Sequence, residues 1–236
     1  LDRPTWFQQA ANGQFLEGYP TGNLDYTTQP WAYQVWPANR SDAFFTAEQG
    51  SAGMDEAWLR RSLYDSDQLR QRVAWALSQI LVVSDIASFS KEQASAGHAA
   101  PAHYYDMLTH HSFGNFKDLL MAVTFHPLMG AWLTYRNNTV VFDSQTGAEV
   151  KIPDENYARE IMQLFSIGLD ELNLDGTPKL DSKGQRIPTY TQTDVRQLSR
   201  VFTGLQYRTA TAAPVQVLPM KMNAQTHDKR SKEFLG

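Results

Sequence analysis

The segment 153–165 carries the polar side chains that are best placed for chemistry. It reads Pro-Asp-Glu-Asn-Tyr-Ala-Arg-Glu-Ile-Met-Gln-Leu-Phe, and a proline followed by two acidic residues is typical of a first helical turn. At about 100° per residue, Asn156, Arg159 and Glu160 share the polar half of this helix. Such a set could provide a general base beside an anion-binding group. The alternative is a solvated helix face with an internal ion pair, which periodicity alone favours.

His227 and Asp228 are the second candidate for catalysis. A histidine next to a carboxylate could be a base with its orienting partner, or a pair of metal ligands. A His-Asp dipeptide is, however, a short pattern of low specificity.

A third group lies in a helix predicted over 102–111. His103, Asp106 and His110 are spaced by three and four residues, so one helix face could direct all three toward a metal ion. The spacing differs from the i, i+4 histidine pair of zinc-binding helices, and an exposed polar face explains it equally well. His126 precedes a proline and is predicted to cap a helix or lie at the edge of the core rather than bind a metal.

Two β-hairpins are predicted to lead into the helices that carry polar side chains. The pattern strand, glycine-containing loop, strand occurs over 140–152 and again over 179–187. A helix over 153–167 follows the first, and a helix over 191–203 follows the second. The hairpins would therefore determine where each helix begins.

The predicted helix over 191–203 begins with Thr-Gln-Thr-Asp, which is a capping box. Gln192 and Asp194 lie in its first turn and are candidate binding residues.

A longer helix is predicted over 65–83. Its apolar arc is predicted to face the core and consists of Leu69, Val73, Ala76, Leu77, Ile80 and Leu81. Arg72 and Trp75 share a flank of this helix, which places a cation beside an indole ring. Arg72 is therefore a candidate for binding an anionic group.

Residues 1–36 lack a helical or strand period and carry eight aromatic side chains, Trp31 and Trp36 among them. These rings either pack on the body of the protein or form a platform for sugar rings or a partner's surface. We expect an aromatic arm over 1–50 and a helical domain over 51–236. The predicted fold class is mainly all-α, an irregular array of helices with two short β-hairpins and this extended arm.

The composition excludes several classes of protein. The chain has 236 residues, 42% of them hydrophobic and 19% charged, which is typical of a folded domain. It contains no cysteine, so disulfides, thiolate metal sites and a cysteine nucleophile are excluded. A net charge of −4 without a basic block argues against a nucleic-acid partner. No apolar stretch reaches the ~20 residues of a membrane span.

Six segments together resemble, in content and order, the bacterial family called domain of unknown function 1800: 68–79, 114–120, 126–129, 153–160, 190–195 and 227–236. The resemblance implies an exported, mostly helical protein whose gene often neighbours that of a second exported family. No established activity comes with it. Because members of the family are longer, we expect this chain to be an N-terminal part, and the rest of the polypeptide is one candidate partner.

The resemblance also raises the expectation that Asn156, Arg159 and Glu160 face a cleft or a buried polar network. Our leading hypothesis is an exported protein that binds or assembles with a surface polymer or a partner exported protein. The alternative is a hydrolase, which could depend on a metal ion, with Glu160, Arg159 and Asn156 beside His227 and Asp228. No particular cofactor is predicted.

Overall fold

A computed structural model describes residues 62–63, 67–84, 99–208 and 218–235. The described residues form two compact units. One runs to Leu128 and includes 207–208 and 218–219, and the other comprises Met129–Gln206 with the residues from Met220 onward. The predicted aromatic arm over 1–50, with Trp31 and Trp36, lies outside the described residues, so its boundary stays a prediction.

The helices are α1 (Gln68–Ile80), α2 (Ala99–His111), α3 (Phe116–Phe125), α4 (Pro127–Trp132), α5 (Asn156–Gln163) and α6 (Gln192–Val201). Two antiparallel strand pairs accompany them, β1 (Val141–Phe142) with β2 (Glu149–Lys151) and β3 (Leu205–Gln206) with β4 (Lys221–Met222). The mainly α-helical class is thereby confirmed. The first strand pair is the first predicted hairpin, whereas the second joins segments that are distant in sequence. None of the described helices is long and apolar enough to cross a membrane.

Helix α1 buries only part of the predicted face. Leu81 is fully buried as expected, but Leu69 and Ile80 are 70% and 48% exposed, and Gln71 and Ala74 are buried instead. The amide of Gln71 donates to the carboxylate of Asp67 at 3.2 Å, so this buried polar group has a partner. The buried face of α1, which packs against α2, therefore carries the small Ala74 and the hydrogen-bonded Gln71.

The second unit is built around aromatic rings. Tyr135 and Tyr157 stack with centroids 4.1 Å apart, and Phe202 meets the edge of Tyr157 at 4.9 Å. Phe202 follows α6, and Tyr157 lies in α5, so these rings join the two polar helices. Of the predicted apolar half of α5, Tyr157, Ala158, Met162 and Phe165 are buried, Ile161 is half-buried, and Leu164, beyond the end of the helix, is 60% exposed.

Residues 164–190, which are exposed or half-buried apart from the buried Phe165, form a segment that we call the apolar arm. Three short stretches bond to one another, Glu171 N–H to Ile187 C=O at 2.8 Å, Lys179 N–H to Glu171 C=O at 2.7 Å and Ile187 N–H to Lys179 C=O at 3.2 Å. The second predicted hairpin is thus part of a three-stretch arrangement of isolated bridges. Its turns place Gly176 and Gly184 at positive φ, 82° and 77°.

Candidate functional site

The start of α5 is held by a buried asparagine. The side-chain amide of Asn138 donates to the carbonyl of Asp154 and accepts from its N–H, both at 2.9 Å. The carboxylate of Asp154 then accepts the N–H of Asn156 at 2.9 Å, which satisfies a donor in the first helical turn. The side chain of Asn156 donates to the hydroxyl of Thr134 at 2.9 Å. This candidate residue is therefore engaged in an internal contact.

Arg159 and Gln192, two predicted site residues, meet in one network. Arg159 Nη2 donates to Glu155 Oε2 at 3.2 Å and to Gln192 Oε1 at 3.1 Å, and Gln192 Nε2 donates to the same Glu155 oxygen at 2.6 Å. The three side chains close a ring that joins α5 to the first turn of α6. Part of the polar half of α5 thus belongs to a structural network, which is exposed rather than buried: the side chain of Arg159 is 40% exposed.

Glu160 differs from its neighbours on α5. Its Oε2 is buried, and no residue in the described ranges hydrogen-bonds to it. Burying a carboxylate oxygen without a donor is costly, so such atoms are rare and are often found at functional sites. Glu160 is the predicted catalytic residue whose side chain is least accounted for by the fold.

Asp194 belongs to the capping box of α6, as predicted. Its Oδ2 accepts from the N–H and the hydroxyl of Thr191, both at 2.6 Å, and its Oδ1 accepts from the N–H of Leu235 at 2.8 Å. These hydrogen bonds, chiefly that from the Thr191 hydroxyl, lower the pKa of Asp194. Asp194 therefore caps a helix and anchors the end of the described chain.

The hydrogen bonds of His227 determine its tautomer. Its Nδ1 lies 2.8 Å from the carbonyl oxygen of Thr203, which can only accept, so Nδ1 carries the hydrogen. Nε2 is then the acceptor in the neutral ring, and no described residue donates to it. A histidine oriented by a backbone carbonyl with its other nitrogen free has the arrangement of a base or a ligand-binding group.

Asp228 does not orient His227, contrary to one reading of the dipeptide. Its Oδ2 accepts from Arg200 Nε at 2.5 Å, its Oδ1 accepts from the N–H of Arg230 at 3.0 Å, and its own N–H donates to the hydroxyl of Thr203 at 2.9 Å. Burial raises the pKa of Asp228, but the bonds and charges of its partners outweigh burial and lower it. The residue is thus a buried, ionised member of an ion pair.

Gly204 allows the chain to pass very close to His227. Its φ is +83°, and a Cβ at this position would lie 2.8 Å from the backbone carbonyl oxygen of Asn223 and 2.9 Å from the backbone nitrogen of His227. Only glycine fits here. Gly204 follows the end of α6 by three residues, and its N–H donates to the carbonyl of Asn138 at 2.9 Å, so its position depends on the tertiary structure.

An open groove of about 610 Å³ lies beside this cluster. One wall is 139–142, which includes β1, and the other is 225–230. The guanidinium of Arg230 lies over the ring of Phe142, with its carbon 3.2 Å from the centroid. Neither Lys229 nor Arg230 has a carboxylate within ion-pair distance in the described part of the chain.

His103 and His126 form a hydrogen-bonded pair in the first unit. His126 Nδ1 accepts the N–H of Leu128 at 3.1 Å, so in the neutral ring Nε2 carries the hydrogen and donates to His103 Nδ1 at 3.0 Å. Burial lowers the pKa of His103 to about 4, and burial followed by the charge of His103 lowers that of His126 well below its usual value. His126 caps α4, as predicted, and is buried, which leaves it little scope as a binding residue.

This pairing gives no support to a metal site at His103, Asp106 and His110. His103 Nδ1 is already an acceptor, so its Nε2 carries the hydrogen in the neutral ring, and neither nitrogen is free to bind a metal. Within the described ranges, no three histidine, aspartate or glutamate side chains could together hold a metal ion.

Arg72, the remaining candidate, donates to the Ser62 carbonyl at 3.1 Å and to Gln68 Oε1 at 3.4 Å. Both partners lie in the first unit, so its guanidinium already has two internal acceptors.

Two features of this cluster were not predicted, the contacts of Thr203 with 227–228 and the pairing of Arg200 with Asp228. Arg200 lies in α6, and its partner lies 28 residues away in sequence. No local pattern carries that information.

A family model described as "Protein of unknown function (DUF1800)" matches residues 7–236 of the chain. No curated protein and no solved structure matches it.

Proposed function

We propose that this chain, which belongs to the DUF1800 family of proteins of unknown function, is an exported protein that binds a partner protein through its apolar arm. The observation that carries the proposal is a set of exposed aliphatic side chains: Leu164, Ile167, Leu169, Leu172, Leu174 and Leu180. Export rests on the family resemblance alone.

The arm presents these side chains on an ordered backbone. Asp175 Oδ1 accepts from the N–H of Thr177 at 3.0 Å, and Asp181 Oδ1 accepts from the N–H groups of Lys183 and Gln185 at 2.8 and 2.9 Å. Such turns reduce the conformational entropy that binding would otherwise cost. A concentration of exposed aliphatic groups is typical of a surface that another molecule covers.

The chemistry of the arm favours a protein partner over a surface polymer. Its exposed apolar groups are aliphatic, whereas sugar rings stack on flat aromatic faces. Charged pairs flank them, Arg186 with Asp170 at 2.8 Å and Lys179 with Glu171 at 3.0 Å. Aliphatic groups bordered by exposed charges resemble the core and rim of a protein interface.

The experiment first identifies the partner and then measures how substitutions in the arm affect its binding. Leu174, which is fully exposed, is replaced by a photo-reactive benzoylphenylalanine, and cross-linked proteins are identified by mass spectrometry in exported and cytoplasmic fractions of the bacterium. We expect one predominant cross-linked protein in the exported fraction.

The identified protein is then purified, and its affinity for the chain is measured. Leu172→Ser with Leu180→Ser should weaken binding by about 30-fold, because each half-exposed leucine contributes about 1 kcal/mol when covered. Leu69→Ser is the matched control, since Leu69 is 70% exposed on α1, outside the arm. Equal affinities for the arm variant and the control would contradict the proposal.

The second candidate function is a hydrolase, which the unpartnered Oε2 of Glu160 favours. A carboxylate oxygen without a donor keeps its lone pairs for a water molecule, a substrate hydroxyl or a metal ion. His227 would supply a second base through its free Nε2, while Arg159 and Asn156 would act as positioning residues because their side chains are engaged. Asp228 would hold the backbone beside His227.

Glu160→Gln tests this alternative because it keeps the shape of the side chain and removes the carboxylate that would act as the base. The wild-type chain, purified without chelators, is assayed for metal content and against ester and phosphate-ester substrates. A hydrolase would lose about 10²-fold or more of its turnover in the variant at unchanged fold. Equal turnover in both proteins would eliminate Glu160 as the base.

A further inference from the structure

We propose that the groove between 139–142 and 225–230 binds an acidic sugar, with its carboxylate on Arg230 and a hydroxyl donating to His227 Nε2. This site is separate from the apolar arm and does not depend on the proposed function.

The groove has the size of a ligand site. Its volume of about 610 Å³ falls in the range that small-molecule pockets occupy, ~300–1,000 Å³. Val141 and Phe142 provide apolar surface on one wall, and Thr226 and His227 provide polar groups on the other. A sugar ring, which has apolar faces and a polar rim, suits such mixed walls.

Charge in the groove favours an anion. The carboxylate of Asp228 is neutralised by Arg200, so it does not oppose an incoming negative group. Lys229 and Arg230 have no acidic partner among the described side chains. Arg230 is also fixed in place, because its guanidinium lies over the Phe142 ring. A seated guanidinium binds a carboxylate through two parallel hydrogen bonds.

His227 requires that the ligand donate a hydrogen bond to it. Its Nδ1–H is committed to the Thr203 carbonyl at 2.8 Å, which leaves Nε2 of the neutral ring as an acceptor directed away from Thr203. A carboxylate or a phosphate dianion offers no hydrogen to this nitrogen, whereas a sugar hydroxyl does. The ligand should therefore carry an anionic group and a hydroxyl on a ring with apolar faces. A uronic acid has all three features.

The backbone that presents these groups is held at several points. Asp228 accepts from the N–H of Arg230 at 3.0 Å and donates its own N–H to Thr203 at 2.9 Å, while Gly204 lets the chain approach closely. Binding groups held in this way lose little entropy when a ligand arrives.

The test compares two sugars that differ in charge. Trigalacturonic acid and neutral galactotriose, joined through the same linkage, are titrated into the full chain by calorimetry at low salt. We expect binding of the acid at least tenfold tighter than that of the neutral sugar, and weaker binding at 500 mM sodium chloride. Equal affinities for both sugars, or no binding of the acid, would overturn the proposal.

Variants assign the contacts. Arg230→Gln and His227→Phe should each weaken binding of the acid by about tenfold, and Arg186→Gln, an exposed arginine on the apolar arm, should leave it unchanged. If His227→Phe fails to fold, Arg230→Gln and the neutral sugar still decide the outcome. Unchanged affinity in Arg230→Gln would overturn the proposal, as would inorganic phosphate that binds as tightly as the acid. The Leu172→Ser, Leu180→Ser variant should bind the acid normally, which separates this site from the arm.

Discussion

Acidification should destabilise the first unit through the pair of His103 and His126. Burial lowers the pKa of His103 from 6.5 to about 4, and that of His126 is lowered well below 6.5 by burial and by the charge of His103. At intermediate pH the unfolded chain binds protons that the folded histidines reject. The free energy of unfolding therefore falls as the pH decreases from about 6.5 toward 4 and is restored above that range.

The size of the pKa shift of His103 determines how much the free energy of unfolding decreases. A pKa lower by about 2.5 units corresponds to a loss of about 3 kcal/mol at pH values below both the folded and the unfolded pKa. About 2 kcal/mol of this is already lost at pH 5. His126 acts in the same direction. Protonation of His103 Nδ1 also removes the acceptor of His126 Nε2–H, so the hydrogen bond between the rings is broken.

Urea unfolding followed by circular dichroism measures the effect. We expect the midpoint of the wild-type chain to fall by about 1 M between pH 7 and pH 5, taking a slope of about 2 kcal/mol per molar urea. His103→Gln keeps an oxygen that can accept from His126 but does not titrate, so its decrease should be no more than half as large. His110→Gln, on the same helix, is the control and should behave as wild type. A wild-type midpoint that does not change with pH, or an equal decrease in His103→Gln, would refute the reasoning.

Three further changes test the second unit by urea unfolding. Arg200→Met leaves the carboxylate of Asp228 buried without its cation and should cost about 3 kcal/mol, most of which the added change Asp228→Leu should restore. Gly204→Ala meets backbone atoms within 3.0 Å at a φ of +83° and should cost about 2 kcal/mol or more; a loss below 0.5 kcal/mol would show that the backbone adapts. Thr191→Ala removes the capping box of α6 and should cost about 1 kcal/mol, with a smaller loss expected from Thr177→Ala, whose hydroxyl bonds only to exposed Asp175 and Asn173 in the arm.

Features that depend on neighbours in sequence were predicted correctly. The capping box at 191–194 and the proline at the start of α4 both occur where the sequence indicates them. Each depends on a hydrogen bond or a steric limit within about four residues, so a short pattern contains the whole cause.

The buried face of a helix was less predictable. The apolar half of α5 lies in the core, because aromatic rings from neighbouring elements pack against it. On α1 the predicted stripe is only partly covered, since Leu69 is exposed and Gln71 is buried. Periodicity identifies an apolar stripe, but which stripe is covered depends on the shape and polarity of the neighbouring helix.

In the candidate site, too, local features were predictable from the sequence and long-range contacts were not. The sequence by itself determined the helices that carry Asn156, Arg159 and Glu160, the class of fold and the family. Only the tertiary structure decided that Arg159 bonds to Gln192, that Asp228 pairs with Arg200 and that a carbonyl orients His227. The physical reason is that these partners lie 24 to 33 residues apart, and a hydrogen bond between them exists only after the core has brought their backbones together.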